Sequence, residues 1–189
     1  MKKDIIIAGV GGQGILSIAA AIGLAAVQSE LHLKQAEVHG MSQRGGAVQS
    51  HLRISDHEIA SDLIPEGSCD LILSVEPMEA LRYVPFLSPE GWVITSGKTV
   101  RNIDDYPEDE QLFSEFGKLK NYRIIDAEAV AREIGSPKVS NIVMLGAALD
   151  IIGIQQNRIE KALQLLFAKK GEDIIQMNLS ALKAGQRVA

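Results

Sequence analysis

Apolar and polar positions up to residue 139 follow an order that predicts strands alternating with helices. Largely apolar runs at residues 5–7 and 70–75 predict buried strands, and residues 15–27 are apolar enough for a helix that covers a sheet. Residues 48–54 alternate between apolar and polar side chains, which is typical of an edge strand or a strand with one buried face. Strands alternating with helices indicate a mostly parallel sheet with helices on both faces.

The pattern becomes purely helical from Ser140 onward. Residues 141–153 are nearly all apolar and predict a buried helix, whereas residues 156–171 are amphipathic and end in two lysines and a glycine. The sequence therefore predicts an α/β, Rossmann-like three-layer fold with a mostly parallel sheet and a helical C-terminal segment. We expect one domain over residues 1–189, with an α/β core at about 1–139 and the helical part at about 140–189.

Composition narrows the classes of function. The chain has 189 residues, 46% of them hydrophobic, which is enough for one domain with a substantial core. A net charge of −5 without a run of lysine or arginine argues against a general nucleic-acid or membrane-surface binder. No stretch reaches the roughly 18 apolar residues of a membrane span, and no secretory signal is recognisable, so we expect a cytoplasmic protein.

Cysteine and histidine positions give little support for a metal site. Cys69 is the only cysteine, so this chain cannot form an internal disulfide or supply the thiolates of an iron–sulfur cluster. It lies at the entrance of a predicted strand, which favours a structural role. His39 and His51 have no third ligand at helical or hairpin spacing, so we expect no metal site.

A glycine loop follows the first predicted strand. Gly9, Gly11 and Gly14 match the G-x-G-x-x-G spacing of dinucleotide-binding loops, and Gly12 adds a fourth glycine. Positive φ angles are expected in this turn, including at Gly11. A dinucleotide site also needs an acidic residue about 20 residues further on, and Glu37 could serve. The same glycines would equally let a helix pack closely on a sheet or face a partner subunit, so the ligand stays open.

A second glycine-rich segment, residues 37–55, replaces the second crossover helix of a nucleotide-binding fold. Its three glycines require a looped backbone, and four polar side chains in it could bind an anion or a neighbouring chain. The glycines are Gly40, Gly45 and Gly46, and the polar residues are His39, Ser42, Gln43 and Arg44. Arg44 stands out because a guanidinium can pair with a carboxylate or phosphate through two hydrogen bonds.

These two segments carry a family resemblance. "GVGGQGI" followed by "AEVHGMSQRGGAVQSHLRIS" resembles the gamma-type domain of the 2-oxoacid:ferredoxin oxidoreductases, and within that family it is most similar to the small beta subunit of the indolepyruvate type. The resemblance covers nearly the full chain in length and order of elements. Other 2-oxoacid enzymes of the family share the G-G-Q-G loop, and a gamma subunit of one of those is the alternative.

The resemblance implies a subunit of an enzyme complex that is inactive alone. Such complexes decarboxylate an aryl-2-oxoacid with thiamine diphosphate, pass electrons through iron–sulfur clusters to ferredoxin, and form an acyl-coenzyme A. We expect thiamine diphosphate, Mg²⁺ and the clusters on a large partner subunit, coenzyme A as a co-substrate of the complex, and ferredoxin as a partner through the complex. We expect no cofactor held firmly by this chain and no catalytic residue in it.

Under this resemblance, the glycine loop and the second glycine-rich segment are expected to form a ligand site or a subunit interface. The candidate residues are Gly9, Gly11, Gly12, Gln13, Gly14, Glu37, His39, Ser42, Gln43, Arg44, Gly45 and Gly46. Apolar neighbours, Met41 and Ile15, are expected to flank the interface, and the isolated chain could form homo-oligomers in place of the complex. His32 and His57 are expected to be exposed and dispensable. The competing hypotheses are a free-standing dinucleotide-binding protein and a non-enzymatic regulatory domain.

Overall fold

Six strands and eight α-helices make up the part of the chain that the computed structural model describes, residues 1–40 and 45–189. The strands are β1 (Lys2–Val10), β2 (His32–His39), β3 (Ala47–Ser55), β4 (Cys69–Ser74), β5 (Leu87–Ser96) and β6 (Tyr122–Ile125). The helices are α1 (Ile15–Val27), α2 (Pro77–Arg82), α3 (Asp109–Phe116), α4 (Ala127–Ile134), α5 (Ser140–Ala147), α6 (Leu149–Ile152), α7 (Gln156–Phe167) and α8 (Glu172–Arg187).

The strands form one sheet in the order β2-β3-β1-β4-β5-β6. β1, β4, β5 and β6 run parallel, which confirms the predicted mostly parallel sheet, whereas β2 and β3 form an antiparallel hairpin beside β1. The hairpin stands where a nucleotide-binding fold has its second crossover helix. Of the two alternatives for residues 48–54, the edge strand was wrong, because β2 pairs outside β3 and is itself the edge.

Helices cover both faces of the sheet, which explains why β1 is apolar at consecutive positions. Ile5 and Ile7 belong to the larger core cluster, which also contains side chains of α1, α5, α7 and α8. Ile6 faces the other side and belongs to a smaller cluster with Ala80 of α2 and Phe116 of α3. The three-layer arrangement predicted from the pattern is confirmed.

The C-terminal helices pack on the sheet through a close crossing of α5 and α8. A Cβ atom at Gly146 would collide with the backbone carbonyl of Leu182, and one at Gly185 would collide with that of Val143. The two helices therefore touch backbone to backbone, as small residues permit. Ile7 and Leu182 share one core cluster. The single domain over residues 1–189 stays a prediction, and this shared core supports it.

Helix length and hydropathy bear on membrane insertion. Among the helices within residues 1–40 and 45–189, none combines the length and the apolar character that crossing a bilayer requires.

Candidate functional site

The glycine loop lies where the sheet changes the direction of its winding. β1 and β4 are parallel neighbours, but α1 after β1 packs on one face, and α2 after β4 packs on the other. A doubly wound sheet opens a crevice outside the carboxyl ends of two such strands, and this is where nucleotides bind in that fold class. The predicted dinucleotide site would have to be in this crevice.

The side chain of Gln13 occupies the crevice between β1 and β4. Its Oε1 atom accepts a hydrogen bond from the Val10 N–H at 2.7 Å, and its Nε2 atom donates one to the Val75 carbonyl at 3.3 Å. The chain thus bridges the two strand ends with its own amide group. This geometry gives Gln13 a structural role.

Two glycines of the loop are required by packing within the chain. A Cβ atom at Gly9 would collide with Val75, and one at Gly14 would lie 2.5 Å from the Asn141 amide nitrogen. Asn141 also donates a hydrogen bond from Nδ2 to the Gly14 carbonyl at 3.1 Å. The start of α1 is therefore covered by α5, and Asn141 is a site residue that the motif search missed.

Positive φ angles occur at Gly12 (98°) and Gly14 (79°). The prediction for Gly11 was wrong, because its φ angle is not among the positive ones in the described part of the chain. The Gly11 N–H instead donates to the Gly46 carbonyl at 2.8 Å, so this glycine joins the loop to the end of the hairpin. A Cβ atom at Gly12 would meet no atom within 4 Å, so the loop is open to the outside there.

Three hydrogen bonds involve the described residues at the two ends of the connection between β2 and β3. Besides the Gly11 contact, the Gly40 N–H donates to the Ala47 carbonyl at 2.9 Å. Asn102 donates from Nδ2 to the Gly45 carbonyl at 2.7 Å. Gly45 has a φ angle of 80°, and a Cβ atom there would again meet nothing within 4 Å. The predicted site residues Ser42, Gln43 and Arg44, and the neighbouring Met41, lie outside the described residues.

Glu37 and His39 lie near the open end of β2. The Glu37 side chain accepts a hydrogen bond from the Gln35 amide and lies 3.4 Å from His39 Nε2. β3 separates β2 from β1, so Glu37 is one strand further from the glycine loop than the acidic residue of a dinucleotide site. The structure does not support Glu37 as a ribose ligand. His39 lines a cavity beside the loop.

A buried carboxyl group organises the third part of the site. Glu76, 1% exposed, follows β4 and caps α2 by accepting the Glu79 N–H at 2.8 Å. Its other oxygen accepts the Val100 N–H at 3.2 Å and the hydroxyl of Tyr106. Burial, followed by the contact with Glu76, raises the pKa of Tyr106 above its usual range, so the hydroxyl stays a donor. Tyr106 lies within the acidic stretch of residues 104–111, yet it is buried.

Two cavities flank the glycine loop. One, of about 670 Å³, lies between the loop, the start of α1 and the hairpin, with Leu16, His39 and Val48 in its wall. The other, of about 390 Å³, lies at the starts of α1 and α5 and contains Lys138 and Lys170. Two lysines and the amino ends of two helices give this second cavity a positive potential.

Exposed apolar side chains lie on α1, on β2 and on the segment after β5, close in sequence to residues of the loop and the hairpin. Leu16 is 46% exposed, Val38 53% and Ile103 46%. Leu16 lies in the first turn of α1, Val38 precedes His39, and Ile103 follows Asn102. Ile15 was expected to flank an interface, but it is 3% exposed and packs in the larger core. The exposed apolar side chain at the start of α1 is therefore Leu16 and not Ile15.

The burial of Cys69 and the exposure of His32 and His57 are as expected from the sequence. Cys69 is fully buried, and burial raises the pKa of its thiol to about 12, so it is not a nucleophile. His32 is exposed, as is the side chain of His57, at 87%. Within the described residues, no group of three or more histidine, cysteine, aspartate or glutamate side chains could hold a metal ion.

Comparison with known proteins gives a consistent result. The sequence profile of the family described as "Pyruvate ferredoxin/flavodoxin oxidoreductase" matches residues 4–188. The chain is 35% identical over 200 residues to "Indolepyruvate oxidoreductase subunit IorB" of Archaeoglobus fulgidus, covering 100% of this chain and 96% of the relative. It is 34% identical over 200 residues to the subunit of the same name from Pyrococcus horikoshii, covering 100% and 97%.

A solved structure shows the same fold. It is described as "2-oxoglutarate:ferredoxin oxidoreductase from Magnetococcus marinus with 2-oxoglutarate, coenzyme A and succinyl-CoA bound", and the TM-score is 0.79 at 21% sequence identity. The match covers 100% of this chain but only 31% of that longer chain. At this level of identity, the likeness concerns the fold alone.

Proposed function

Because this chain belongs to the pyruvate ferredoxin/flavodoxin oxidoreductase family, we propose that it is the small subunit of an indolepyruvate:ferredoxin oxidoreductase. In this role it supports the oxidative decarboxylation of an aryl-2-oxoacid to an acyl-coenzyme A, together with a large subunit. The names of the two similar subunits support the indolepyruvate type over other 2-oxoacids. Substrate choice itself we assign to the large subunit.

The observation that carries the proposal is the contrast between a closed crevice and an open outer surface. Gln13 fills the place where a free-standing nucleotide-binding protein would hold its ligand. Gly12 and Gly45 face open space, and exposed apolar side chains lie around them. An apolar surface around open glycines is suited to another protein chain. We assign this surface to the contact with the large subunit.

The redox cofactors fit the large subunit better than this chain. A cluster with four cysteine ligands cannot be held by a chain with one cysteine, and that cysteine is buried with a raised pKa. Thiamine diphosphate, Mg²⁺ and iron–sulfur clusters are therefore assigned to the partner, which reduces ferredoxin. In the complex they supply the carbanion chemistry and the electron transfer, and this chain supplies binding surface.

Coenzyme A is the ligand of the complex that this chain is best placed to contact. The cavity with Lys138 and Lys170 lies directly beside Gly12 and combines positive charge with the apolar side chains of Phe167 and Met177. Phosphates favour lysines and helix amino ends, and a pantetheine arm favours apolar walls. A rise in the Michaelis constant for coenzyme A alone in Lys138→Gln, with normal assembly, would support this contact, whereas unchanged kinetics would exclude it.

Co-expression tests the proposal as a whole. The chain is produced anaerobically, under reducing conditions, with a large subunit that contains thiamine and cluster motifs, ideally one encoded beside it. We expect a stoichiometric complex that reduces ferredoxin in the presence of indolepyruvate and coenzyme A, while the chain alone is colourless and inactive. Failure to form a complex, or micromolar binding of NAD or FAD to the isolated chain, would overturn the proposal.

A further inference from the structure

The segment between β5 and α3 crosses the open surface and contacts the hairpin turn. We call residues 98–106 the strap. It leaves the sheet after Ser96, whose Oγ accepts the Lys98 N–H at 3.1 Å. It then reaches Gly45 through Asn102 and returns to the core at Tyr106, which is 7% exposed. The strap has little regular structure, so its position depends on these individual contacts.

Glu76 anchors both halves of the strap. One carboxyl oxygen accepts the Val100 N–H at 3.2 Å before Asn102 and the hydroxyl of Tyr106 after it. Because Glu76 is 1% exposed and at the same time caps α2, it is fixed relative to the sheet. Arg101 adds a contact, with its guanidinium carbon 5.6 Å from the centre of the Tyr106 ring. The strap is thus held rigidly on each side of the residue that contacts the hairpin.

The contact made by Asn102 continues into the glycine loop. Asn102 donates to the Gly45 carbonyl at 2.7 Å, and the next carbonyl, that of Gly46, accepts the Gly11 N–H at 2.8 Å. Gly45 itself has a φ angle of 80°, and among residues 1–40 and 45–189 no atom lies within 4 Å of the position of a Cβ atom there. A glycine backbone has several accessible conformations, so hydrogen bonds from outside select one at Gly45. Asn102 donates such a hydrogen bond from the strap.

We propose that Glu76, Asn102 and Tyr106 are positioning residues that fix Gly45 and Gly46, just before β3, for binding of the large subunit. The proposal rests on the function proposed above, since it assigns the partner that the surface receives. It adds three residues that neither glycine motif contains. The strap contributes through preorganisation, because a turn already held in its bound conformation loses less entropy when the partner binds.

The first test uses the isolated full-length chain and needs no partner. Amide hydrogen exchange is measured for wild type and for Asn102→Ala. Loss of the Gly45 contact loosens the turn, so the Gly11 amide, bonded to Gly46, should exchange at least fivefold faster. The Gln13 amide, which donates to the Val10 carbonyl, serves as an internal control and should not change. Unchanged exchange at Gly11 would overturn the proposal.

The second test measures affinity for the large subunit in Asn102→Ala, Tyr106→Phe and the double variant. Tyr122→Phe is the matched control, since Tyr122 is a half-exposed tyrosine on β6. We expect each strap variant to bind about tenfold more weakly, with the turnover number restored at saturating small subunit. The double variant should lose little more than the larger single loss, because both residues act through one turn.

The possible outcomes separate this inference from the proposed function. If wild type does not bind the large subunit, the proposed function fails. If wild type binds and the strap variants bind equally well, only the positioning role fails. Additive losses in the double variant, or a turnover number that stays low at saturation, would show independent effects on folding or chemistry and would also contradict the positioning role.

Discussion

The two sides of the glycine loop differ in what their glycines accommodate. On the inner side, Gly9 and Gly14 leave room for Val75 and Asn141, and Gln13 joins the ends of β1 and β4. On the outer side, Gly12 and Gly45 have positive φ angles, and within the described part of the chain no atom lies within 4 Å of the position of a Cβ atom at either glycine. One motif therefore serves two purposes, packing inside and an open backbone outside.

Glycine spacing alone does not identify a ligand. The G-x-G-x-x-G pattern is typical of dinucleotide sites, yet here its inner glycines serve contacts between strands and helices. The space that a Cβ atom would enter separates the inner glycines from the outer ones. Where other atoms fill that space, the glycine is needed for packing within the chain. Where the space is open and exposed apolar side chains are near, the glycine favours contact with another protein chain.

The largest effect is expected for the inner side. Gly14→Ala places a Cβ atom against Asn141 at a positive φ angle and should lower the free energy of unfolding by about 3 kcal/mol. Gly12→Ala carries the backbone strain alone and should cost about 1–2 kcal/mol. Urea unfolding of the isolated chain checks both. Equal losses for the two variants would remove the distinction between inner and outer glycines.

Arg44 lies in the outer turn by sequence, and its role stays a prediction. In the assembled complex, Arg44→Lys should raise the Michaelis constant for coenzyme A or the oxoacid about tenfold to a hundredfold, because lysine cannot form a bidentate pair. That loss corresponds to about 1.5–3 kcal/mol.

The same variant separates a ligand contact from a subunit contact. Weaker assembly with equal losses for every substrate would assign Arg44 to the interface. Wild-type assembly together with wild-type kinetics would remove it from the site.

A smaller effect is expected for the crevice. Gln13→Ala leaves the Val10 N–H and the Val75 carbonyl without their partner and should lower the free energy of unfolding by about 1–2 kcal/mol. Gln13→Glu retains the acceptor for the Val10 N–H but places a carboxylate oxygen against the Val75 carbonyl, so it should not restore the lost stability. Calorimetry with NAD should detect no binding to wild type. Binding to wild type would mean that the crevice opens and that the inner side is not structural.

The smallest effect concerns His51, which lies in the middle of β3 opposite Ile6 of β1. His51 accepts the Ile64 N–H at Nδ1 at 3.1 Å, and burial, followed by the nearby Arg53, lowers its pKa while Asp62 opposes the shift. Because the unfolded chain then binds more protons, stability should fall as the pH drops below about 6.5. His51→Gln should reduce this slope, and His57→Gln, at an exposed site, should retain it. Equal slopes in all three proteins would contradict the assignment.

Much of the fold is predictable from the pattern of side chains. Buried parallel strands are apolar on both faces, so residues 5–7 and 70–75 are recognisable, and glycines in residues 40–46 indicate a turn in place of a helix. The edge position of β2 is harder to predict, because pairing order depends on contacts between distant segments. The alternation at residues 48–54 therefore left an edge strand and a strand with one buried face as alternatives, and β3 lies inside the sheet.

The site was only partly predictable, since its hydrogen bonds connect segments far apart in sequence. The glycines and Gln13 carry a motif, but Asn141 contacts Gly14 and Asn102 contacts Gly45 without any sequence signal at either asparagine. Tyr106 offered one clue, an aromatic residue within an acidic stretch. The conformation at Gly11 was mispredicted because spacing does not state which glycine of a loop takes the positive φ angle.

Hydrogen exchange of this chain, free and in complex with the large subunit, tests most directly which surface binds the partner. We expect binding to protect amides on the open side, at residues 11–16, 38–40 and 45–48 and in the strap. Residues 56–61, at the opposite end of the sheet, should stay unchanged. Protection confined to residues 56–61 or to α7, with none at Gly12 or Gly45, would contradict the claim that the open side of the glycine loop receives the partner.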